Sequence, residues 1–220
     1  MRAMRVLAGV LALGAFAAPQ ATAQNYDDSF KWYIGGSAGV LGFETPSQTR
    51  AFVPTVGGQL LVVAKRTGLL LSVDEAFGSN ELTGYSDVTT AAGVRDVTFD
   101  RVRKYSAVLT GYPLRGPTQP YFGLGYGLIQ VVNPQPGGVF TSPVQASLNK
   151  RLADDKSTSG FLTFVAGVQF RVGRVMGFGQ YQITAAPAAG QLLRGPSHGL
   201  TGGLRFSLGG AREGIKGGGY

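Results

Sequence analysis

The stretch "HGLTGGLRFSLGG", residues 198–210, places an arginine between two large apolar residues, Leu204 and Phe206. Successive side chains of a β-strand point to opposite faces, so a strand over this stretch has a period of two. One face then carries Leu200, Gly202, Leu204, Phe206 and Leu208, and the other carries Thr201, Gly203, Arg205 and Ser207. The pattern predicts a strand with one apolar and one polar face, and these faces must meet different environments.

Seven further segments of the chain have the same strand-like character. They are rich in aromatic and β-branched residues and cover residues 31–41, 52–65, 69–77, 98–112, 120–132, 160–172 and 175–184. Short connections at 66–68, 113–119 and 173–174 alternate with longer polar ones at 42–51, 78–97, 133–159 and 185–197. Tight periplasmic turns alternating with longer outward loops are typical of outer-membrane barrels. We therefore predict an all-β fold: a closed antiparallel eight-stranded transmembrane β-barrel with short periplasmic turns and long extracellular loops.

The chemistry of the two strand faces indicates which of them meets lipid. In residues 160–172, Leu162, Phe164 and Phe170 share one face, and Gln169 and Arg171 lie on the other. Periodicity alone does not separate a soluble barrel, with its apolar face inside, from a membrane barrel, with that face outside. Arginine and amide groups would be costly in the tight core of a soluble barrel. Lipid contact is the less costly assignment, and a closed sheet pairs every backbone group, as hydrocarbon requires.

The same assignment applies to the predicted strand at residues 198–208. We predict that Arg205 faces the lumen and that Leu204 and Phe206 face lipid, where an arginine would cost about 2–4 kcal/mol. Interfacial aromatic girdles are expected at the two membrane surfaces. Candidates for the girdles, not all of which can face outwards, are Trp32, Tyr112, Tyr121 and Tyr126.

Composition and the first residues indicate an exported protein. Only 15% of residues are charged, against about 25% in ordinary soluble domains, and there is no cysteine. The net charge of +8 is scattered along the chain, which argues against nucleic-acid binding. Residues 1–23 have a basic start, an apolar segment and a small-residue cleavage site, so they predict a secretory signal peptide. The barrel is predicted over residues 24–208, followed by a flexible Gly-rich tail over 209–220.

With these features the sequence resembles the OmpA/OmpX-like small outer-membrane β-barrels, over about residues 31–208. The resemblance rests on architecture, and its most specific element is the last strand. There Thr201, Gly203, Phe206 and Leu208 match a polar-x-Gly-x-x-apolar-x-apolar pattern similar to the family's assembly signal. Members of the family commonly finish at a terminal aromatic residue on that strand, whereas "GGAREGIKGGGY" follows it here. The resemblance implies a monomer in the outer membrane, with membrane lipids, lipopolysaccharide and the barrel-assembly machinery as partners.

An eight-stranded barrel has an interior only wide enough for side chains to fill. The polar residues predicted to face this lumen are Gln59, Asp74, Arg103, Gln169, Arg171, Gln180, Gln182 and Arg205. Unpaired charges in such a space cost several kcal/mol each, so ion pairs are expected. We predict that Asp74 meets Arg103 inside and that Glu75 meets Lys104 outside. The interpretation is a packed polar plug, with a narrow solute or ion pore as the alternative.

The catalytic signals in the sequence are weak. Gly35-x-Ser37-x-Gly39 has the spacing of a nucleophile elbow, but that motif needs a strand-to-helix turn and no helix is predicted after it. His198 is the only histidine, which excludes multi-histidine metal sites. Its neighbour Ser197 keeps open a second hypothesis, a lipid-modifying acyl hydrolase or transferase. We predict no enzymatic activity, no metal and no cofactor.

The longest predicted loop, residues 133–159, is the best candidate for contacts at the cell surface. It is mixed in charge, and we expect it to be exposed and mobile. Lys150, Arg151 and Lys156 could bind lipopolysaccharide phosphates, another envelope protein or a host factor. The sequence therefore predicts an outer-membrane barrel with a structural or surface-interaction role.

Overall fold

The structure, a computed structural model, describes residues 30–48, 50–90 and 92–211. The predicted signal peptide and residues 212–220 of the predicted tail lie outside these residues. The strands and the helix of the described residues are β1 (Phe30–Glu44), β2 (Ala51–Ala64), β3 (Thr67–Ser86), β4 (Val94–Gly111), β5 (Thr118–Val132), β6 (Gln135–Pro136), α1 (Pro143–Asp155), β7 (Thr158–Val172), β8 (Val175–Thr184) and β9 (Arg194–Ala211). No helix among them is long and apolar enough to cross a bilayer.

Eight of these strands form one closed antiparallel sheet, as predicted. Their order is β3-β2-β1-β9-β8-β7-β5-β4, and β4 pairs back to β3. The seam between β1 and β9 runs from Phe30 opposite Ala211 to Glu44 opposite Arg194. The ninth strand, β6, only adds a short pairing to Val97 and Thr98 of β4. Closure leaves no free edge in the barrel wall, so the backbone groups of the wall pair with each other.

The connections divide the barrel into two ends. At the turn end, residues 65–66, 112–117 and 173–174 join neighbouring strands. At the loop end, residues 45–50, 87–93, 133–157 and 185–193 join them. The last strand continues to Ala211, three residues beyond the predicted boundary at Leu208.

The predicted loop over residues 78–97 is mostly a β-hairpin. Strand β3 continues to Ser86 and β4 begins at Val94, with paired residues up to the tip. Its inward side chains include Tyr85 and Phe99, which are buried, while outward ones such as Asp96 are exposed. The segment looked like a polar loop because its outward residues project into water. Its apolar inward residues still support a strand.

The predicted loop over residues 133–159 contains the helix α1. Ser142 caps its N-terminus, because its hydroxyl accepts a hydrogen bond from the Gln145 amide at 3.2 Å. Pro143 follows the cap, where a missing N–H costs nothing. Asn149 and Ala153 are buried against the loop end of the barrel. This segment is therefore a folded, docked element instead of a mobile loop.

The outward side chains form an apolar belt around the wall. It includes one exposed apolar residue or more from every barrel strand: Val40, Val56, Leu71, Leu109, Leu124, Leu162, Tyr181, Leu200, Leu204 and Phe206. Arg205 is 0% exposed, whereas Leu204 and Phe206 are each 51% exposed. Of the candidate girdle residues, Trp32 and Tyr126 face outwards, but Tyr112 and Tyr121 are buried inside.

Candidate functional site

The lumen is the candidate site, and its side chains are arranged in layers along the barrel axis. An apolar cluster fills the turn end, made of Tyr33, Leu61, Leu70, Val108, Tyr112, Tyr121, Val165 and Met176. Next to it lies a polar layer around Arg205, and beyond that a second polar layer around Asp74 and Lys104. A second apolar cluster closes the loop end.

Arg205 is held by side-chain amides from three other strands. Its Nη2 donates to Gln59 Oε1 at 2.6 Å, and weaker contacts of 3.4 Å reach Gln169 and Gln180. The guanidinium carbon lies 3.8 Å from the centre of the Phe178 ring, a cation–π geometry. The opposite residue on β1 is Gly35, where a Cβ would lie 2.7 Å from the Arg205 Cα, 2.8 Å from its Cγ and closer still to the Leu204 carbonyl oxygen. Glycine is therefore required by the close approach of the two strands as well as by the Arg205 side chain.

The second polar layer corrects the predicted ion pairs. Asp74 and Lys104 are register partners inside the barrel, 6% and 4% exposed. Arg103 faces outwards, where its Nη2 lies 3.1 Å from Glu75 Oε2. The predicted pairings, Asp74 with Arg103 inside and Glu75 with Lys104 outside, are therefore wrong. The register between β3 and β4 exchanges the two basic residues.

Hydroxyl and amide groups complete this layer. Ser37 and Ser72 donate to the two carboxylate oxygens of Asp74, at 3.3 and 3.1 Å. Lys104 Nζ donates to Gln182 Oε1 at 2.8 Å. A cavity of about 10 Å³ lies between Asp74 and Lys104, large enough for about one water molecule. The layer satisfies its two charges without a direct carboxylate–ammonium contact.

The other predicted lumen residues lie as follows. Gln59, Gln169, Gln180 and Gln182 are buried inside the barrel. Arg171 is half-buried at the turn end, where its guanidinium contacts the Tyr33 hydroxyl and ring. The residues of the assembly pattern lie on β9, with Thr201 and Gly203 on the lumen side and Phe206 and Leu208 outside. Recognition of that pattern by the assembly machinery stays a prediction.

The sequence reasoning missed Lys104 as a lumen residue. A signal for it was present, because Ser106 and Thr110 share its alternation while Tyr105 and Leu109 share that of Arg103. Counting back from the turn end of β4 would have put Lys104 inside.

The loop end is closed by an apolar cap to which both the wall and the loop elements contribute. Its members are Leu41, Phe43, Ala51, Val53, Ala76, Tyr85, Val97, Phe99, Val102, Ile129, Val131, Ala153, Phe161, Leu192 and Leu193. Ala153 comes from α1, and Leu192 and Leu193 come from the β8–β9 connection. Tyr85 fixes the helix further by donating to Asn149 Oδ1 at 2.7 Å. Apolar clusters therefore lie at both ends of the lumen, with the two polar layers between them.

The catalytic candidates are not assembled into a site. Ser197 faces inwards and bonds Thr184 Oγ1 at 2.7 Å, whereas His198 faces outwards with its Nδ1 2.5 Å from the Tyr181 hydroxyl. Ser37 lies in the middle of β1 and not at a strand-to-helix turn. Across the described ranges, no three His, Cys, Asp or Glu residues come together as a possible metal site.

Comparison with known proteins agrees with this architecture. The profile of the outer membrane protein beta-barrel domain family matches residues 8–206. Among solved structures, the chain is similar to Neisserial surface protein A (NspA), with a TM-score of 0.52 and 13% identity over 80% of this chain and 96% of that one. The β-barrel domain of Pseudomonas aeruginosa OprF also matches, with a TM-score of 0.44 and 10% identity over 82% of this chain and 98% of that one.

OprG from Pseudomonas aeruginosa matches with a TM-score of 0.43 and 13% identity, over 84% of this chain and 95% of that one. No curated protein matches the sequence significantly. The likeness to solved structures concerns the fold, whereas the family match covers most of the chain. The chain therefore belongs to the outer membrane protein beta-barrel domain family, and its place is the outer membrane.

Proposed function

We propose that this protein is a structural outer-membrane barrel with a closed lumen, which presents α1 at the cell surface for interactions. The observation that carries the first part is the fully buried Arg205 layer between two apolar clusters. A solute would have to displace side chains in each layer. The cavity beside Asp74 holds no more than about one water molecule.

Conductance measurements test the closed lumen. The purified protein is inserted into planar bilayers in potassium chloride, and no stepwise current above the bare bilayer is expected. The double variant Arg205→Ser/Phe178→Ala is measured for comparison. It lacks the two stacked side chains and therefore part of the side-chain packing in the lumen. Regular current steps from the wild-type protein would overturn the closed-lumen proposal and favour the pore alternative.

A structural role also has a cellular test. Cells that lack the protein are expected to become more sensitive to detergent, and the wild-type chain should restore resistance. Equal resistance with and without the protein would contradict a structural role.

The support for a surface role is an exposed apolar stripe on α1. Val144, Leu148 and Leu152 follow each other at a spacing of four residues and are all exposed. The opposite side of the helix, with Asn149 and Ala153, is buried against the barrel. Contiguous exposed apolar surface on a folded element is typical of interaction sites.

Two measurements test this surface role. Because the natural chain has no cysteine, a single Leu148→Cys variant should react with a membrane-impermeant maleimide on intact cells, whereas Arg66→Cys at the turn end should not. Cells carrying the wild-type protein should also bind octyl-coated beads better than cells carrying the triple serine variant of the stripe. An Arg151→Gln variant is the matched control on the same helix. Unlabelled Leu148→Cys or unchanged bead binding would overturn the proposal.

A further inference from the structure

A notch opens in the outer wall of the barrel near its loop end, around Gly42. This glycine faces outwards on β1, with Phe52 of β2 opposite it on one side and His198 of β9 on the other. The Phe52 ring lies over the glycine, because a Cβ there would be 2.7 Å from the ring. The notch has a volume of about 170 Å³, and Pro196 also lines it.

The notch has an apolar lower side and a charged upper side. Below it, Val40 and Leu200 are exposed members of the apolar belt, each two residues along its strand from Gly42 or His198. Above it lies Arg50, whose side chain is 64% exposed. The notch is therefore continuous with the surface that meets hydrocarbon, and it ends at a cation.

The side chains at the upper side of the notch carry a net positive charge. Arg50 Nη2 lies 3.8 Å from Glu44 Oε1, a long contact that leaves most of the guanidinium open. Arg194 is the register partner of Glu44 on β9 and is exposed. Two arginines thus accompany one glutamate at this point of the rim. An anionic group is favoured there, particularly a phosphate, which arginine binds through paired N–H donors.

We propose that this notch binds an anionic, phosphate-bearing lipid of the surrounding membrane. Its phosphate meets Arg50, and its upper acyl chain lies between Phe52 and His198 and continues over Val40 and Leu200. The occupant is a lipid, because the notch opens directly onto the apolar belt and the belt is always in contact with membrane lipid. This binding site is independent of whether the lumen is closed and of what α1 contacts.

Quenching of a single tryptophan by brominated lipids tests the site. In a Trp32→Phe background, Val40→Trp places the reporter just below the notch and leaves the notch residues intact. Leu124→Trp on β5, four strands away, is the matched reporter in the belt. Both proteins are reconstituted in phosphatidylcholine vesicles that contain brominated phosphatidylglycerol or, separately, brominated phosphatidylcholine.

We expect the reporter at position 40 to show about a fivefold preference for the anionic lipid, the ratio given by about 1 kcal/mol for one arginine near an anionic surface. The reporter at position 124 should show no preference. Adding Arg50→Gln should remove the preference at position 40, whereas Arg174→Gln at the turn end should leave it unchanged. Equal quenching at the two positions, or a preference that survives Arg50→Gln, would overturn the proposal.

Filling the notch gives a second, independent test. Gly42→Leu should reduce the preference at position 40, because the new side chain has to push the Phe52 ring into the space of the lipid chain. Gly58→Leu is the control, since Gly58 also faces outwards and a Cβ there meets no atom within 4 Å. The faster gel migration of unheated barrel checks that each variant is folded. An unchanged preference in folded Gly42→Leu would count against a lipid in the notch.

Discussion

Arg205 is a fully buried cation whose hydrogen-bond partners are neutral amides. Replacing a buried ion pair with apolar residues is often harmless, because both charges leave together. Here the amide oxygens of Gln59 and Gln169 would stay behind without their donor, whereas Gln180 Oε1 would keep the hydrogen bond from the Tyr121 hydroxyl at 2.8 Å. Each buried acceptor that loses its partner costs about 1–3 kcal/mol. Arg205 therefore contributes to the free energy of unfolding mainly by satisfying the buried amide oxygens around it.

We predict that Arg205→Met lowers the free energy of unfolding by at least about 2 kcal/mol. Urea unfolding of the protein in lipid vesicles measures the change. Arg174→Met is the control, because Arg174 is an exposed residue of the β7–β8 turn. Equal losses in the two variants would mean that the amide layer does not depend on Arg205.

The adjacent residues Arg103 and Lys104 allow a direct comparison of a partly exposed and a buried cation. Lys104→Met removes the buried positive charge that compensates Asp74, whose own hydrogen-bond donors are hydroxyl groups, so we expect a loss of about 3 kcal/mol in unfolding free energy. Arg103→Met removes a contact to Glu75 on the outer wall, and a loss of about 1 kcal/mol or less is expected. The same urea titration measures both. A larger loss for Arg103→Met would restore the pairing that the sequence predicted.

Arg103 and Lys104 also show how far sequence alone predicts whether a single side chain faces the lumen or the lipid. Alternation correctly separates the lumen from the belt wherever one face is purely apolar, as on β9. It is ambiguous where two charges are adjacent, because one of them must face each way. Counting back from the turn end of β4 resolves the choice between Arg103 and Lys104, because Ser106 and Thr110 share the alternation of Lys104. Counting from the loop end does not, because the pairing of β3 with β4 is irregular between Phe77 and Glu81.

The hairpin of β3 and β4 extends well beyond the roughly 9–11 residues that a tilted strand needs to cross a bilayer. Its tip is held by Asp87, whose carboxylate lies 2.5 Å from Arg95 Nε. Thr89 donates to the same carboxylate through its hydroxyl at 2.6 Å and its amide at 2.9 Å. Hydrogen bonds from Thr89 and then Arg95 lower the pKa of Asp87 to about 2.

We expect the tip to lose this support only in strong acid. The pKa in the folded state lies below the ordinary 3.8, so the stabilising effect is complete above about pH 4 and is lost as the pH falls through about 2. Carbon-13 NMR of the Asp87 carboxyl in micelles measures the midpoint. Arg95→Gln should raise it towards the ordinary value. A wild-type midpoint near 3.8 would show that these hydrogen bonds do not form.

Two elements were misjudged from sequence for one physical reason. Residues 78–97 and 133–159 are polar on average, which favours a loop, but each contains a periodic apolar minority that the barrel buries. For α1, the local signal was Ser142-Pro143 with a glutamine at 145, a sequence typical of a helix start. Its reason to fold, the docking of Ala153 into the apolar cap, depends on residues that are distant in sequence.

The barrel as a whole was more predictable than its parts. The sequence predicts short and long connections in alternation, which brings the first and last strands of an even-stranded sheet together at one end. In the structure the alternation of lengths is weaker, because the connections 45–50 and 112–117 are equally long. Each strand has lipid on its outer face and the lumen on its inner face, so its residues alternate in character with a period of two. Fold class and membrane placement can therefore be predicted from the sequence. The layers inside the lumen do not follow, because they arise from side chains that meet across the barrel.

Closure of the whole sheet depends on a close approach at the seam between β1 and β9. Gly39 of β1 faces the lumen opposite Thr201. A Cβ at Gly39 would lie 2.7 Å from the Thr201 Cα, and it would lie closer still to the Leu200 carbonyl oxygen. Both are backbone atoms, so the strands themselves would have to move apart. Gly36 differs, because a Cβ there has the Gly57 carbonyl oxygen as its nearest neighbour, at 3.7 Å.

We therefore predict that Gly39→Val prevents or severely weakens closure, although valine favours strands in general. The wild-type barrel should migrate faster on a gel before heating than after it, and Gly39→Val should largely lose this difference. Gly36→Val, an outward substitution on the same strand, should keep it and match the wild type in urea. Because the seam joins the first and last strands of the barrel, its failure exposes two sheet edges and removes the pairing that hydrocarbon demands. Full heat-dependent migration of Gly39→Val would mean that the seam tolerates a wider spacing than the structure shows.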